Sequence, residues 1–202
     1  MRSRLGDWRR EARFALALRV LPLAVARFQW RARRLALSLG DEFSLASATR
    51  PAKLAALLEA GRGAQVAVEL GTATAWTTAS LALADPQRQI ISFDPVAQAN
   101  RARYLALAGA AQARIRLVQA PGEAGPEPGS PRIELLYVDS SHTREGTLRE
   151  WQVWAPALAP GAVVVFDDYD HPEFPGVRQA VEEVDLSGVE RAGLFVVRTS
   201  LA

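Results

Sequence analysis

From about residue 65 onward the chain alternates between short apolar runs and longer stretches of helical period. Residues 65–70, 89–93, 115–118, 133–138, 162–166 and 194–198 are the apolar runs. Runs apolar on both faces predict strands buried in a parallel sheet. Between them, residues 75–84, 96–108, 142–155 and the segment from Pro175 to about residue 184 predict helices. A last pairing near Val189 completes the pattern. Residues 51–60 form a further helix, with Pro51 at an early position and a stop at Gly61-Arg62-Gly63. Strands alternating with helices imply an α/β fold, doubly wound, with helices on both faces of a mostly parallel sheet. The stretch from Pro121 to Pro131 is dense in Pro and Gly and predicts a loop.

Residues 5–38 read differently. They predict two helices around Pro22, with Leu16, Val20, Leu23, Phe28, Leu35 and Leu39 on a rough apolar face. This divides the chain into a helical arm, residues 1–45, and a domain, residues 46–202. The chain has a net charge of +2, yet residues 1–34 hold ten Arg against Asp7 and Glu11. The arm is therefore +8, and the rest of the chain −6. A basic arm on an acidic body could touch an anionic membrane, a nucleic acid or the body of a partner subunit. The run from Phe14 to Trp30 carries Arg13, Arg19 and Arg27 nearby or within it and is broken by Pro22, so it suits neither a membrane span nor a signal peptide. The expected location is cytoplasmic. Absence of cysteine excludes disulfides, thiolate nucleophiles and Cys-based zinc sites. Lys53 is the only lysine, so any lysine base would have to be that residue. Arginine in place of lysine, with abundant alanine, points to a GC-rich bacterial genome.

The chemistry gathers where strands end. Asp139 follows one apolar strand, and Asp167-Asp168 follows another. Three carboxylates held together repel unless a cation neutralises them, and hard oxygen donors suit Mg²⁺, Mn²⁺ or Ca²⁺. His142, three residues past Asp139, is placed to act as a base beside such an ion. It could instead open a helix capped by Ser140 or Ser141. Asp167-Asp168 could equally be a solvated turn. Upstream, Glu69-Leu70-Gly71-Thr72-Ala73 joins a strand to a helix through small residues, which lets a ligand approach the backbone. Asp94 ends the second strand, where a carboxylate accepts from both hydroxyls of a ribose, or caps the next segment. Glu69 disfavours a pyrophosphate and suits a cofactor bearing an ammonium and a sulfonium. Trp154 is expected in the core, Trp76 near the cofactor pocket, and His171 on a surface loop or, failing that, as a second active-site group.

These segments together resemble the class I S-adenosylmethionine-dependent methyltransferases, and among them the cation-dependent O-methyltransferases of the catechol and macrocin-sugar types. The resemblance rests on Val68-Glu69-Leu70-Gly71-Thr72, Ser92-Phe93-Asp94-Pro95, Tyr137-Val138-Asp139-Ser140-Ser141-His142, the run from Leu158 to Tyr169, and the helix opening at Pro175. It covers about residues 45–198. It implies a Rossmann-like, seven-stranded sheet with an N-terminal helical extension that serves as a lid or dimer contact. It also implies that Glu69, Gly71, Thr72, Thr77, Asp94, Ala120 and Asp139 border S-adenosylmethionine. Of these, Gly71 and Thr77 would face the methionine portion, Asp94 the ribose, and the backbone from Ala120 to Gly122 the adenine. Asp139, Asp167 and Asp168 would hold Mg²⁺ or a similar ion, and His142 stands where the catechol type has its lysine base. The usual Gly-x-Gly is reduced to Gly71-Thr72-Ala73, with Ala75 in place of a further glycine. The implied reaction is methyl transfer to a small molecule with neighbouring oxygens, a catechol-like phenol or a sugar hydroxyl, by a homodimer. Two alternatives follow from the same residues: a nicotinamide-dependent oxidoreductase, against which the missing glycines count, and a non-catalytic membrane- or partner-binding relative.

Overall fold

In the computed structural model, which describes residues 4–200 with side chains from residue 9, one sheet collects all the expected strands. Residues 1–3 of the expected arm, the Trp8 side chain, and residues 201–202 of the expected domain lie outside the described residues. Strands β1 (Val66–Leu70), β2 (Gln89–Phe93), β3 (Ile115–Val118), β4 (Ile133–Val138) and β5 (Leu158–Phe166) pair in parallel. Strand β7 (Leu194–Arg198) runs antiparallel to β5, and β6 (Gly188–Arg191) antiparallel to β7. The order is β3-β2-β1-β4-β5-β7-β6. Strand β1 thus lies between β2 and β4, and the crevice beyond its carboxyl end is the switch point at which such sheets bind ligands.

Alternation along the strands builds two cores. Ala67, Leu135, Tyr137, Val163 and Val165 face helices α2 (Leu23–Leu39), α4 (Pro51–Ala60), α5 (Trp76–Ala84) and α6 (Arg101–Ala106). Val68, Leu70, Leu136, Val138, Val164 and Phe166 face α7 (Arg144–Trp154) and α8 (Pro175–Glu183). Leu54 and Leu57 are fully buried on α4, and each contributes about 1.5–3 kcal/mol of burial free energy. Trp154 lies in the second core, as expected, with Nε1 donating to the Gly122 carbonyl at 2.7 Å.

The arm is part of the first core. Helix α1 (Arg4–Ala17) is followed by a 3-10 turn at Leu18–Val20 and then by α2, with Pro22 between them. Val25, Phe28, Ala32 and Ala36 are buried, and Gln29 donates to Ser80 of α5 at 3.0 Å. Helix α3 (Glu42–Ser47) runs across the expected boundary at residues 45/46. Asp41 caps it, accepting from the Ser44 backbone at 3.0 Å, and also accepts from Asn100 and Tyr104 beside and within α6.

Three local expectations change. Residues 96–100 are not helical: Asp94 Oδ1 accepts from Val96 N and Arg101 donates to the Val96 carbonyl, which engages Val96 outside a helical ladder. Helix α7 begins at Arg144, capped by Thr143 and not by Ser140 or Ser141, so His142 precedes it. Trp76 packs edge-on to Tyr104, centroids 5.3 Å apart, inside the first core. Among the described residues, no helix is long and apolar enough to cross a membrane.

Candidate active site

The parallel ladder continues one residue past the strands and sets each acid in place. Asp94 N donates to the Val118 carbonyl, Gly71 N to Phe93, Asp139 N to Leu70, and Asp167 N to Val138, at 2.8–3.1 Å. Four successive strands therefore end at one level. Beyond them opens a cleft of about 1090 Å³, bordered by Gly71, Asp94, Asp139, His142, Asp167 and Asp168, and closed on other sides by α4, the segment before it, and the β6–β7 turn. That volume lies just above the usual range of about 300–1,000 Å³ for small-molecule sites, with space for two ligands.

The loop after β1 is left-handed at three positions: Gly71 (φ 102°), Ala73 (φ 44°) and Ala75 (φ 67°). A Cβ at Gly71 would run into the Asp139 carbonyl, so glycine is required there. Ala73 and Ala75 hold the conformation that glycine would take freely, at about 1 kcal/mol or more each. Asp94 secures the loop. Its Oδ2 accepts from Ala73 N at 2.7 Å and Arg101 Nη2 at 3.0 Å, while its Oδ1 accepts from Val96 N at 2.7 Å. A carboxylate has about four acceptor positions, so Oδ1 retains one for an incoming hydroxyl.

Glu69 lies beneath this loop, fully buried, accepting from Thr78 and Ser92. Burial pushes it up to about 8, so it is neutral at pH 7. It does not border the cleft. Thr72 is likewise buried and bonded to Ser92 at 2.7 Å, Thr77 pairs with Thr49 at 2.9 Å, and Ala120 packs on the second core. Of the residues expected around the cofactor, Gly71, Asp94 and Asp139 border the cleft. Thr77 reaches it through Thr49, and Glu69, Thr72 and Ala120 stand behind it.

On the β4–β5 side, His142 Nε2 lies 3.4 Å from Asp168 Oδ2 and 3.9 Å from Asp139 Oδ1. One donor atom from each of these three residues lies within 4.8 Å of the others. The flanking carboxylates of Asp139 and Asp168 push the imidazole up to about 9. Asp168 is held well below the usual carboxylate range, chiefly by His142. Burial raises Asp139 to about 6. Asp168 has a left-handed backbone (φ 52°), a conformation aspartate tolerates.

Asp167 is differently engaged. One oxygen receives Lys53 Nζ and its neighbour's N–H, and the other receives the Tyr137 hydroxyl. Lys53 also donates to Asp168 Oδ1 at 2.9 Å. Burial works against the ammonium and is outweighed by Asp167 and Asp168, which raise its pKa. Burial pushes Asp167 up, and the Lys53 contact pulls it back; with an ammonium in direct contact, we read the pair as ionised. Phe174 is stacked between His142 and His171, at 4.2 and 4.6 Å, and forms an aromatic wall.

Sequence reasoning alone passed over Arg101, Tyr137 and Phe174 and noted Lys53 only as the one available lysine. Period two on β4 was a usable signal for Tyr137, since it shares a face with Asp139. Nothing local marks Lys53, whose partners lie 114 and 115 residues away.

Residues 68–169 match the model of a family described as a methyltransferase domain. A sequence comparison with curated proteins gave no match. Solved structures share the fold. The O-methyltransferase TomG from Streptomyces achromogenes, involved in tomaymycin synthesis and solved in complex with SAM, is 20% identical. It aligns over 89% of this chain and 91% of its own, with a TM-score of 0.62. An O-methyltransferase from Bacillus cereus in complex with SAH is 14% identical over 84% of this chain and 91% of its own, with a TM-score of 0.66. CalS11, a TDP-rhamnose 3'-O-methyltransferase of calicheamicin biosynthesis, is 20% identical over 72% and 76%, with a TM-score of 0.58.

Proposed function

This chain belongs to the methyltransferase-domain family, and on that premise we propose that it is an S-adenosylmethionine-dependent O-methyltransferase of the cytoplasm. The acceptor is a small molecule with neighbouring oxygens, a catechol-like phenol or a sugar hydroxyl. The observation that carries this reading is the meeting of Gly71, Asp94, Asp139, His142 and Asp168 around one cleft at the switch point.

The cofactor half fits these residues. Asp94 keeps an acceptor position facing the cleft, and Gly71 leaves the loop backbone bare of a side chain. S-adenosylmethionine, when bound, would supply a sulfonium-activated methyl group for the acceptor oxygen. Asp94 would hold and orient its ribose, and Gly71 and Ala73 would let it approach the loop backbone. His142, whose Nε2 faces Asp139 and Asp168, takes the proton of the acceptor hydroxyl once the imidazolium has released its own. Asp139 and Asp168 orient the imidazole and stabilise the imidazolium that forms. The wall of Phe174 and His171 excludes water on one side and offers apolar surface to the acceptor.

The divalent ion fits less well. Three aspartates were expected to hold it, but both oxygens of Asp167 are taken by Lys53 and Tyr137. No step is routed through a metal. For the expected homodimer, the exposed Leu16, Val20 and Leu23 of the arm are the apolar positions a second copy would cover, which sedimentation of the full chain tests.

Calorimetric titration with S-adenosylmethionine tests the central reading. Micromolar binding is expected, weakened about tenfold or more by Asp94→Ala, which removes a ribose partner. Absence of binding by the wild-type protein would overturn it.

A further inference from the structure

Lys53 projects from the first turns of α4 into the acid cluster at the ends of β4 and β5. Its Nζ contacts Asp167 and lies 2.9 Å from Asp168 Oδ1. The turn at Gly193 borders its stem, 3.4 Å from Cε to a Cβ placed there. The side chain is 20% exposed and lines the cleft. An ammonium has three N–H donors. Two face the aspartates, and the third is available to a ligand in the cleft.

A hard divalent ion requires about six oxygen donors at near-octahedral angles. Here both oxygens of Asp167 already accept, Oδ1 from Lys53 and the Asp168 N–H and Oδ2 from Tyr137, which leaves one position on Oδ2, and an ion beside Asp168 would stand against a fixed ammonium of like sign. Resting on the methyltransferase reading above, we propose that the Lys53 ammonium takes the place of a divalent ion in this site. It neutralises the Asp167–Asp168 pair and holds the second oxygen of the acceptor. Tyr137 anchors the other oxygen of Asp167, so the pair cannot swing away from the lysine. A single charge acidifies an acceptor hydroxyl less than a metal does. More of the proton removal then falls on His142, which lies on the far side of Asp168 from Lys53.

The test uses the full chain, dialysed against a chelator and titrated with Mn²⁺, with the free ion followed by electron paramagnetic resonance. S-adenosylmethionine binding is measured beside it. The wild-type protein is expected to take up no Mn²⁺ at up to about 1 mM, and Lys53→Met to bind it with a dissociation constant on the order of 10–100 μM, because the substitution opens the pair to an ion. Lys53→Arg keeps the charge and is expected to behave as wild type. Uptake of Mn²⁺ by the wild-type protein in the micromolar range overturns the proposal, and that arm stands even where Lys53→Met does not fold. A folded Lys53→Met protein that binds cofactor yet no Mn²⁺ also overturns it. Loss of cofactor binding in every protein, wild type included, instead sinks the methyltransferase reading.

Discussion

His142 lies between Asp139 and Asp168, and that position sets its proton affinity. Its pKa of about 9 in the folded protein exceeds the ordinary 6.5. The stabilisation from this pairing is complete below about 6.5 and is lost as pH rises through about 9. A base must be neutral, so kcat/KM is expected to climb with pH toward about 9. His142→Gln should abolish that limb and slow turnover by about 10²–10⁴-fold; an unchanged pH profile in the variant would assign the base elsewhere. In the loop after β1, opposite signs are expected from two exchanges. Gly71→Ala forces a methyl onto the Asp139 carbonyl at φ 102° and should cost about 3 kcal/mol or more in denaturant unfolding. Ala73→Gly relieves a left-handed alanine and should stabilise by up to about 1 kcal/mol.

At the scale of elements, two acids, the part-buried Asp41 and the buried Glu150, respond to pH in opposite senses. Asp41 joins α3 to α6. Burial works against its charge, but hydrogen bonds from Ser44, Asn100 and Tyr104 outweigh it and bring its pKa to about 2. The stabilisation it provides is present above the ordinary 3.8 and disappears as pH falls through about 2. Asp41→Ala should cost about 1–2 kcal/mol at neutral pH, measured by urea melts. Glu150 on α7 behaves in reverse. It is 2% exposed, accepts from Ser140, and is pushed by burial to about 7. Its neutral form is favoured by folding, so stability is lost as pH rises from about 4.5 through 7. Glu150→Gln should therefore raise stability at pH 8 by about 2–3 kcal/mol and do little at pH 4. Equal effects at both pH values would show that Glu150 is not held neutral.

Across the whole molecule, the sheet is uneven in protection. Strands β1, β4 and β5 are covered on both faces, whereas every residue of β6 is exposed. Amide hydrogen exchange should be slowest in β4 and its neighbours and fastest in β6. The same unevenness leaves the cleft with a firm floor of strand ends and a lighter wall at the β6–β7 turn.

The sequence by itself determined the parallel sheet, the Pro51 helix and the acids at the strand ends, because those signals are local: apolar runs, a proline and glycines at helix ends, carboxylates in phase with strands. It also marked Asp94, Asp139, His142 and Asp168, since chain-adjacent motifs carry them to one sheet edge. The tertiary structure alone decided what those acids face. Residues 96–100 are not helical, and Val96 is engaged by Asp94 and Arg101. The arm, which reads as a separate basic helix pair, is folded into the core through Val25, Phe28 and Gln29. Asp167 is turned toward Lys53 and Tyr137 rather than left open. These outcomes depend on which distant groups compete for one carboxylate, and a competition of that kind is settled only when folding brings its members within hydrogen-bonding distance.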